Sequence, residues 1–110
     1  MKKLNITIIG LGHIGGSIAA SLKQVHKSKV TLIGIDKDLA TLKKAKKSNF
    51  FSEVSSLKQS KKLKESDIIF IAVGIKSIPL LFSEISNLEF QKKIIVTDVG
   101  SVKSEVFKFV

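Results

Sequence analysis

Apolar residues along this chain are concentrated in short blocks, and stretches with a helical spacing of apolar positions separate them. Four blocks predict buried strands, at Leu4–Ile9, Val30–Ile35, 67–73 and 93–97. A weaker block at 50–54 predicts a short strand between the second and the third of these. The run 68–73 contains no polar residue, which is typical of a strand that is covered on both faces, as in a parallel sheet.

Helical periodicity fills the intervals between these strands. Behind the first strand, one inward stripe is predicted from residues spaced i, i+4, i+8 and i+11, namely Ile14, Ile18, Leu22 and Val25. Behind the second strand, Asp38 is a predicted N-cap. The helix that follows this cap is expected to turn Leu39 and Leu42 inward.

Three further helices are predicted in the second half of the chain. Ser55 or Ser56 marks the start of a short lysine-rich helix that reaches about Glu65. Ser77 and Pro79 mark the start of the next helix. Its apolar positions fit the helical period, and they are Ile78, Leu81, Phe82, Ile85 and Leu88. A final helix is predicted from three apolar residues, which are Val102, Val106 and Phe109.

The alternation of strands and helices over residues 1–110 predicts a single α/β domain. Its expected architecture is a Rossmann-type, doubly wound parallel sheet with helices on both faces. Right-handed crossovers give the strand order 3-2-1-4-5. This order reverses between the strand that ends at Ile9 and the strand that ends at Val73. Ligands of such sheets bind in the crevice at the reversal, outside the carboxyl ends of the strands.

The first strand runs directly into a Gly-x-Gly-x-x-Gly loop, which is the strongest functional signal in the chain. Gly10 permits a tight turn and Gly12 allows a pyrophosphate to approach the backbone. Gly15 lets the next helix pack close to the strand, and the N-terminus of that helix adds partial positive charge. The predicted cofactor-binding residues of the loop also include the intervening positions, which are Leu11, His13 and Ile14. For His13, a solvent-facing position stays open as an alternative.

A second signal lies at the end of the second strand, 21 residues after Gly15. An acidic residue at about this distance accepts hydrogen bonds from the adenosine ribose hydroxyls, and Asp36 stands there. Its charge would repel a 2′-phosphate, so the sequence predicts NAD rather than NADP. The neighbouring Lys37 would offset part of this repulsion. The alternative is that Asp36 only begins the turn before Asp38.

A third signal is the segment 97–103, Thr-Asp-Val-Gly-Ser-Val-Lys, which follows the last predicted strand and therefore faces the same crevice. Asp98 is either a turn residue or part of the site. Ser101 either caps the next helix or hydrogen-bonds a substrate or a catalytic histidine. Both alternatives stay open from the residues alone.

Composition and charge narrow the classes of ligand. The chain has no cysteine and only two histidines, so we expect neither disulfides nor a metal site. The longest central apolar run, 68–73, is too short to cross a bilayer. The formal net charge of +10 comes from nineteen lysines without any arginine. The lysine runs are expected on solvated helix faces. Because arginine supplies the bidentate contacts to nucleic acids, we do not expect nucleic-acid binding.

The N-terminus has the outline of a signal peptide, because Lys2 and Lys3 precede an apolar stretch that ends in Ala19-Ala20-Ser21. Four glycines interrupt this stretch. A strand, loop and helix explain those glycines and a signal peptide does not. We therefore expect a cytoplasmic protein.

A specific family resemblance rests on four parts of the sequence together. They are Gly10-Leu-Gly-His-Ile-Gly-Gly-Ser17, Asp36 at a strand end, Ala72-Val73, and the Thr-Asp-Val-Gly-Ser-Val-Lys segment 97–103. In this combination the chain resembles the cofactor half of the prephenate/arogenate dehydrogenase family. The resemblance covers nearly all 110 residues, but less than half of a usual family member. It adds Ala72, Val73 and Asp98 to the expected NAD-binding residues.

The resemblance also implies a reaction, in which prephenate transfers a hydride to NAD and loses carbon dioxide to form 4-hydroxyphenylpyruvate for tyrosine biosynthesis. The family's catalytic histidine would polarise the ring hydroxyl, with Ser101 in an orienting role. That histidine, the substrate-binding arginines and a helical domain that forms homodimers are expected beyond residue 110. Three apolar side chains in the last four residues, Phe107, Phe109 and Val110, also indicate part of a longer chain. We therefore expect this part to bind NAD without appreciable turnover.

Two alternatives stay open. The first is the cofactor domain of another NAD(P)-dependent dehydrogenase, of the arogenate or 3-hydroxyacid type. The second is a regulatory nucleotide-sensing module without enzymatic activity. A purely structural protein would not need glycines and Asp36 at this spacing.

Overall fold

The predicted strands assemble into one sheet in a computed structural model, which describes residues 3–26, 29–90, 93–98 and 108–109. The described strands are β1 (Leu4–Ile9), β2 (Val30–Ile35), β3 (Glu53–Ser55), β4 (Ile68–Ile71), β5 (Ile95–Asp98) and β6 (Lys108–Phe109). Their order is β3-β2-β1-β4-β5-β6, and the pairs among the first five are parallel. The predicted doubly wound Rossmann-type fold with strand order 3-2-1-4-5 is therefore confirmed.

Three α-helices lie in the described part of the chain, α1 (His13–His26), α2 (Leu39–Ser48) and α3 (Ile78–Ser86). Two short 3₁₀ turns, Leu63–Glu65 and Ile75–Ser77, precede β4 and α3. Asp38 caps α2 as predicted, because its carboxylate accepts the Thr41 N–H at 3.0 Å.

The sheet divides the hydrophobic core into two clusters, one on each face. Alternate residues of β4 point to opposite faces, so Ile69 and Ile71 join α3 in one cluster while Ile68 and Phe70 join α1 and α2 in the other. Ile8 and Ile71 are fully buried on opposite sides of the central strands. This two-sided burial explains why β4 contains no polar residue and β2 contains only Thr31.

The predicted inward stripe of α1 is partly wrong, because Ile14 is 48% exposed and Val25 is 70% exposed. The inward face instead includes Gly15 and Ala19, which are both buried. Small residues four positions apart let the helix approach the sheet closely, and this packing turns Ile14 outward. The same kind of error affects α2, in which Leu39 is 75% exposed.

The predicted lysine-rich helix from Ser55 or Ser56 to about Glu65 is also wrong. Only the 3₁₀ turn Leu63–Glu65 forms there. The Glu53 carboxylate accepts hydrogen bonds from Ser60 Oγ at 2.5 Å and from the N–H groups of Lys61 at 3.1 Å and Lys62 at 3.3 Å. These groups are thereby held in a loop instead of a helix.

The predicted final helix is wrong at Phe109, which lies in β6 opposite Val96. Strand β6 runs antiparallel to β5, whose outer edge offers its backbone groups as partners. The other two residues of that prediction, Val102 and Val106, lie outside the described residues. Strand β6 therefore adds an antiparallel edge to the predicted parallel sheet.

Candidate functional site

The glycine loop joins β1 to α1 at the centre of the sheet, where the strand order reverses. Gly10 donates its N–H to the Ile35 carbonyl at 2.7 Å, and Ala72 donates its N–H to the Ile9 carbonyl at 2.8 Å. Gly10 has a φ of +97°, and a Cβ on it would lie 2.5 Å from the Ala72 carbonyl oxygen. The loop is thus held between the ends of β2 and β4, and position 10 requires glycine.

Gly12 and Gly15 occupy opposite environments within this loop. Gly15 is buried, and a Cβ on it would overlap the carbonyl of Gly10. Apart from Gly12 itself and its two chain neighbours, no heavy atom of the described chain lies within 4 Å of the Cβ position of Gly12. Packing therefore explains Gly15, whereas Gly12 faces open space beside the first turn of α1. This open position fits a group that must come close to the backbone.

The N-terminus of α1 faces the same space. The first helical hydrogen bond runs from the Gly16 N–H to the Gly12 carbonyl at 2.8 Å. Helix geometry leaves the N–H groups of the preceding positions, His13, Ile14 and Gly15, without partners inside the helix. The first turn contains no acidic side chain. Together these features favour an anion at this end of α1.

Asp36 connects the end of β2 to the glycine loop. Its Oδ2 accepts the Leu11 N–H at 2.7 Å, and its Oδ1 accepts the Asp38 N–H at 2.9 Å. Each carboxylate oxygen can accept a further hydrogen bond. Asp36 is therefore both a holder of the loop and a free acceptor for hydroxyl groups of a ligand. Lys37 beside it is exposed.

A crevice of about 480 Å³ opens at the carboxyl ends of β1 and β2. It brings together four predicted site residues, Gly10, Asp36, Lys37 and Val73. The other walls of this crevice were not predicted from the sequence. One wall follows β3 and consists of Ser56, Leu57 and Lys58, and the other comes from residues before and within α3, Gly74, Ser77, Leu80, Leu81 and Glu84. These residues carry no motif of their own, and they reach the crevice because they follow strands that end at the same edge of the sheet.

Other predicted site residues lie elsewhere. Leu11, Gly12 and His13 line a groove of about 510 Å³ between α1 and α2, so the structure places His13 on that side of the loop. Ile14 is 48% exposed on the first turn of α1. These residues share the glycine loop with the crevice, but their side chains do not line it.

The ends of β4 and β5 carry the remaining predictions. Ala72 is half-buried against the glycine loop. Asp98 is 1% exposed and pairs with Ile71 in the ladder between β4 and β5. Asp98 therefore closes a strand at the edge that holds the crevice. Ser101 lies outside the described residues.

Two classes of site and segment are not found within residues 3–26, 29–90, 93–98 and 108–109. No group of three His, Cys, Asp or Glu side chains there is placed to hold a metal ion. No helix in these ranges combines the length and the apolar character needed to cross a bilayer.

A parallel sheet with a glycine loop at its order reversal and a carboxylate at the end of β2 is the architecture of a Rossmann-type nucleotide-binding domain. The family model described as "Prephenate dehydrogenase, nucleotide-binding domain" matches residues 18–110. The chain belongs to this family. The glycine loop lies before residue 18, where the match begins. The evidence for the loop is therefore its geometry in the structure and not the family model.

Relatives of known activity agree with this family. The chain is 36% identical over 106 residues to a prephenate dehydrogenase of Lactococcus lactis subsp. cremoris (strain MG1363), and the match covers 96% of this chain. It is 31% identical over 115 residues to a prephenate dehydrogenase of Bacillus subtilis (strain 168), with 97% of this chain covered. The chain spans 28% of the length of each of these two relatives.

Solved structures show the same fold. A prephenate dehydrogenase from A. aeolicus, in complex with hydroxyphenyl propionate and NAD+, superposes with a TM-score of 0.74 at 23% identity. That match covers 89% of this chain and 34% of the other. A Synechocystis arogenate dehydrogenase superposes with a TM-score of 0.72 at 33% identity, covering 92% of this chain and 34% of the other.

Proposed function

We propose that this chain is the NAD-binding domain of a prephenate dehydrogenase. The observation that carries the proposal is the open position at Gly12, between a tightly clamped Gly10 and a buried Gly15. Glycine at position 12 has no role in packing the described chain, so a ligand accounts for it. The activity of the two curated relatives and the NAD+ in the A. aeolicus structure support the choice of cofactor and reaction.

The residues present fit a dinucleotide. The backbone at Gly12 and the first turn of α1, including His13 and Ile14, would hold the pyrophosphate. The Asp36 carboxylate would accept the adenosine ribose hydroxyls, and its charge favours NAD over NADP. Lys37 stands beside that position and moderates this preference.

The other end of the cofactor is assigned to the ends of β4 and β5. Ala72 and Val73 follow β4 directly beside Gly10, and Asp98 closes β5. We assign these three residues to the nicotinamide half of NAD. Ser101, in the segment after β5, is assigned the orienting role that the family resemblance implies.

The proposed reaction is the oxidation of prephenate by NAD+ to 4-hydroxyphenylpyruvate, carbon dioxide and NADH. Bound NAD supplies the hydride acceptor, and this domain binds and orients it. Prephenate carries two carboxylates, and the chain contains no arginine to hold them. We therefore assign the substrate-binding groups, the catalytic histidine and the homodimer contacts to a separate helical domain of a cytoplasmic enzyme. The 110-residue chain should bind NADH with little or no prephenate turnover.

The test is NADH binding to the 110-residue chain, followed by the fluorescence of the bound cofactor. Gly12→Ala adds one methyl group where phosphate would approach, and we expect it to raise the Kd for NADH about tenfold or more. Its melting temperature should stay that of the parent chain, because no described residue other than its chain neighbours lies within 4 Å of the added Cβ position.

Gly16→Ala is the matched control for this experiment. Its Cβ would lie 3.8 Å from the Leu11 carbonyl oxygen, which is an ordinary contact. We expect its NADH affinity to match that of the parent. The proposal fails if the parent chain does not bind NADH, or if Gly12→Ala binds it as well as Gly16→Ala does.

One observation favours a second candidate substrate. The 33% identical structure from Synechocystis is an arogenate dehydrogenase, and it shares the fold over 92% of this chain. Arogenate differs from prephenate in its side chain, which the cofactor domain is not expected to contact. NADH formation from each substrate, measured with a chain that carries the substrate-binding groups, distinguishes the two.

A further inference from the structure

Gly34 lies within β2, one residue before its end, where a glycine is unexpected. It pairs with Ile8 of β1 on one side and with Val54 of β3 on the other, and it is buried. Glycine in a strand interior weakens the strand, and it commonly marks a place where another group approaches the backbone closely. The residues around Gly34 identify that group.

Two side chains occupy the space above Gly34. A Cβ on Gly34 would lie 3.0 Å from Leu11 Cδ1 and 3.0 Å from Phe51 Cδ1. Both distances are shorter than ordinary contacts of a Cβ atom. A methyl group here would therefore displace Leu11, Phe51 or both.

Leu11 is the residue between Gly10 and Gly12, so its position sets the position of the loop. Its side chain is 8% exposed and belongs to the core cluster beneath α1 and α2. Its N–H donates to Asp36 Oδ2 at 2.7 Å. The same residue thus contacts β2 twice, through its side chain above Gly34 and through its backbone at Asp36.

We propose that Gly34 is a positioning residue for the cofactor. Because Gly34 has no side chain, Leu11 packs close to β2, and this position of Leu11 fixes the position of the glycine loop. This inference rests on the proposed NAD-binding function. A side chain at position 34 lifts Leu11, moves the neighbouring Gly12 backbone and lengthens the hydrogen bond from Leu11 to Asp36. The pyrophosphate and ribose contacts are then displaced together, without any change in a group that touches the cofactor.

The experiment is a double-mutant cycle between positions 34 and 11, read by NADH binding to the 110-residue chain. Gly34→Ala should raise the Kd for NADH about tenfold, since an added methyl in a filled core forces its neighbours to shift. Leu11→Val removes one methylene and with it the atom that the added methyl would meet; on its own it should raise the Kd for NADH, but by less than Gly34→Ala does. The combined variant G34A/L11V should return the Kd to within about threefold of the parent, which is a strongly non-additive result.

The matched control is Phe51→Leu in the Gly34→Ala background. Phe51 is the other neighbour of the added methyl, but it is not part of the glycine loop. We expect G34A/F51L to keep the weakened NADH binding. Rescue by F51L but not by L11V, or unchanged NADH binding in Gly34→Ala, overturns the proposal.

A further variant covers the case in which Gly34→Ala does not fold. Leu11→Ala removes the side-chain anchor without crowding the core, and it should raise the Kd for NADH about fivefold because the loop loses its fixed depth. Parent-like binding in a folded Leu11→Ala contradicts the inference. If the parent chain itself binds no NADH, the proposed function fails. If the parent binds and Gly12→Ala does not, while the cycle is additive, only the role of Gly34 fails.

Discussion

The two ends of the central sheet are built in opposite ways. Around the start of β4, polar side chains bond within the chain, as in the fully buried pair of Thr7 and Ser66, whose hydroxyl oxygens are 2.5 Å apart. Nearby, the Asp67 carboxylate accepts the Asn5 N–H at 2.8 Å. At the carboxyl ends of β1 and β2, backbone bonds hold the glycine loop, and Gly12 faces open space.

Groups at the amino end of the sheet therefore contribute to stability, whereas groups at the carboxyl end are available to bind a ligand. At the amino end, hydrogen bonds are completed inside the protein, so a substitution there should change the free energy of unfolding alone. At the carboxyl end, helix geometry leaves N–H groups without helical partners and Asp36 keeps acceptor capacity. A substitution that touches only an open position, such as Gly12→Ala, should change ligand affinity alone.

Gly15→Ala should lower both stability and ligand affinity, because Gly15 lies at the carboxyl end of the sheet but is required for packing. Its Cβ would overlap the Gly10 carbonyl, and neither backbone can move easily. We expect a loss of about 3 kcal/mol in the free energy of unfolding, together with loss of NADH binding. Urea unfolding measures the first and NADH fluorescence the second.

Gly16→Ala, one residue later, is the control for Gly15→Ala. Its added methyl makes only an ordinary contact, and alanine is the better helix former, so stability should stay equal or rise by about 0.5–1 kcal/mol. Equal losses of stability in the two variants would show that helix composition, and not the contact with Gly10, sets the effect.

Ser66→Ala tests the amino end. It leaves the Thr7 hydroxyl buried without its partner, which should lower the free energy of unfolding by about 1–3 kcal/mol. The Kd for NADH, measured well below the melting temperature, should not change. The double variant T7V/S66A removes both hydroxyls and should recover part of the loss. A weakened NADH affinity in folded Ser66→Ala would show that the two ends of the sheet are coupled.

Asp36→Ala tests the carboxyl end at a group that is open to the ligand. Hydrogen bonds to a charged group contribute about 1.5–3 kcal/mol, so NADH affinity should fall about tenfold or more. NADPH affinity should fall less, because the same change removes the repulsion of the 2′-phosphate. Parallel titrations with NADH and NADPH measure this. An unchanged ratio of the two affinities would remove Asp36 from the ribose-binding role.

Glu53 gives the smallest effect, and it appears in the pH dependence of stability. Burial raises the pKa of the Glu53 carboxyl, but hydrogen bonds from Ser60, Lys61 and Lys62 outweigh it and hold the pKa below its ordinary value. A carboxyl with a lower pKa in the folded state stabilises the fold above its unfolded pKa. This contribution is lost as the pH falls through the folded pKa.

Glu53→Gln should therefore melt slightly earlier than the parent at pH 7, and the difference should shrink below about pH 4. Melting curves of the two chains at both pH values test this. The NADH affinity at pH 7 should be the same for both, because Glu53 holds its own loop and does not line the crevice. A melting difference that stays constant with pH would contradict the role of the charge.

Much of the fold was predictable because its signals are local. The bounds of β1 and β2, the cap at Asp38 and the strand order follow from apolar blocks, capping chemistry and crossover handedness. The inward face of α1 was not predictable from apolar spacing. That face is set by Gly15 and Ala19, whose small size lets α1 approach the sheet closely. The spacing of apolar residues does not indicate where a helix can approach a sheet this closely. The loop after β3 was mispredicted because the bonds to Glu53 connect residues seven to nine positions apart.

The candidate site divides in the same way. Gly10, Gly12, Gly15 and Asp36 are recognisable from spacing alone, since the chemistry of a pyrophosphate and a ribose prescribes those residue types in order along the chain. The walls after β3 and along α3 were not recognisable, because they come from segments without a motif of their own. They reach the crevice only because parallel strands end at one edge of the sheet.

By itself, the sequence determined the class of fold, the position of the glycine loop and the nucleotide-binding family, because each depends on residues that are near one another along the chain. The tertiary structure alone decided what each glycine does. Gly10 avoids the carbonyl of Ala72, Gly34 makes room for Leu11 and Phe51, and Gly12 faces open space. These roles depend on steric contacts with residues that are distant in sequence, and such contacts exist only after the sheet and its loops have packed.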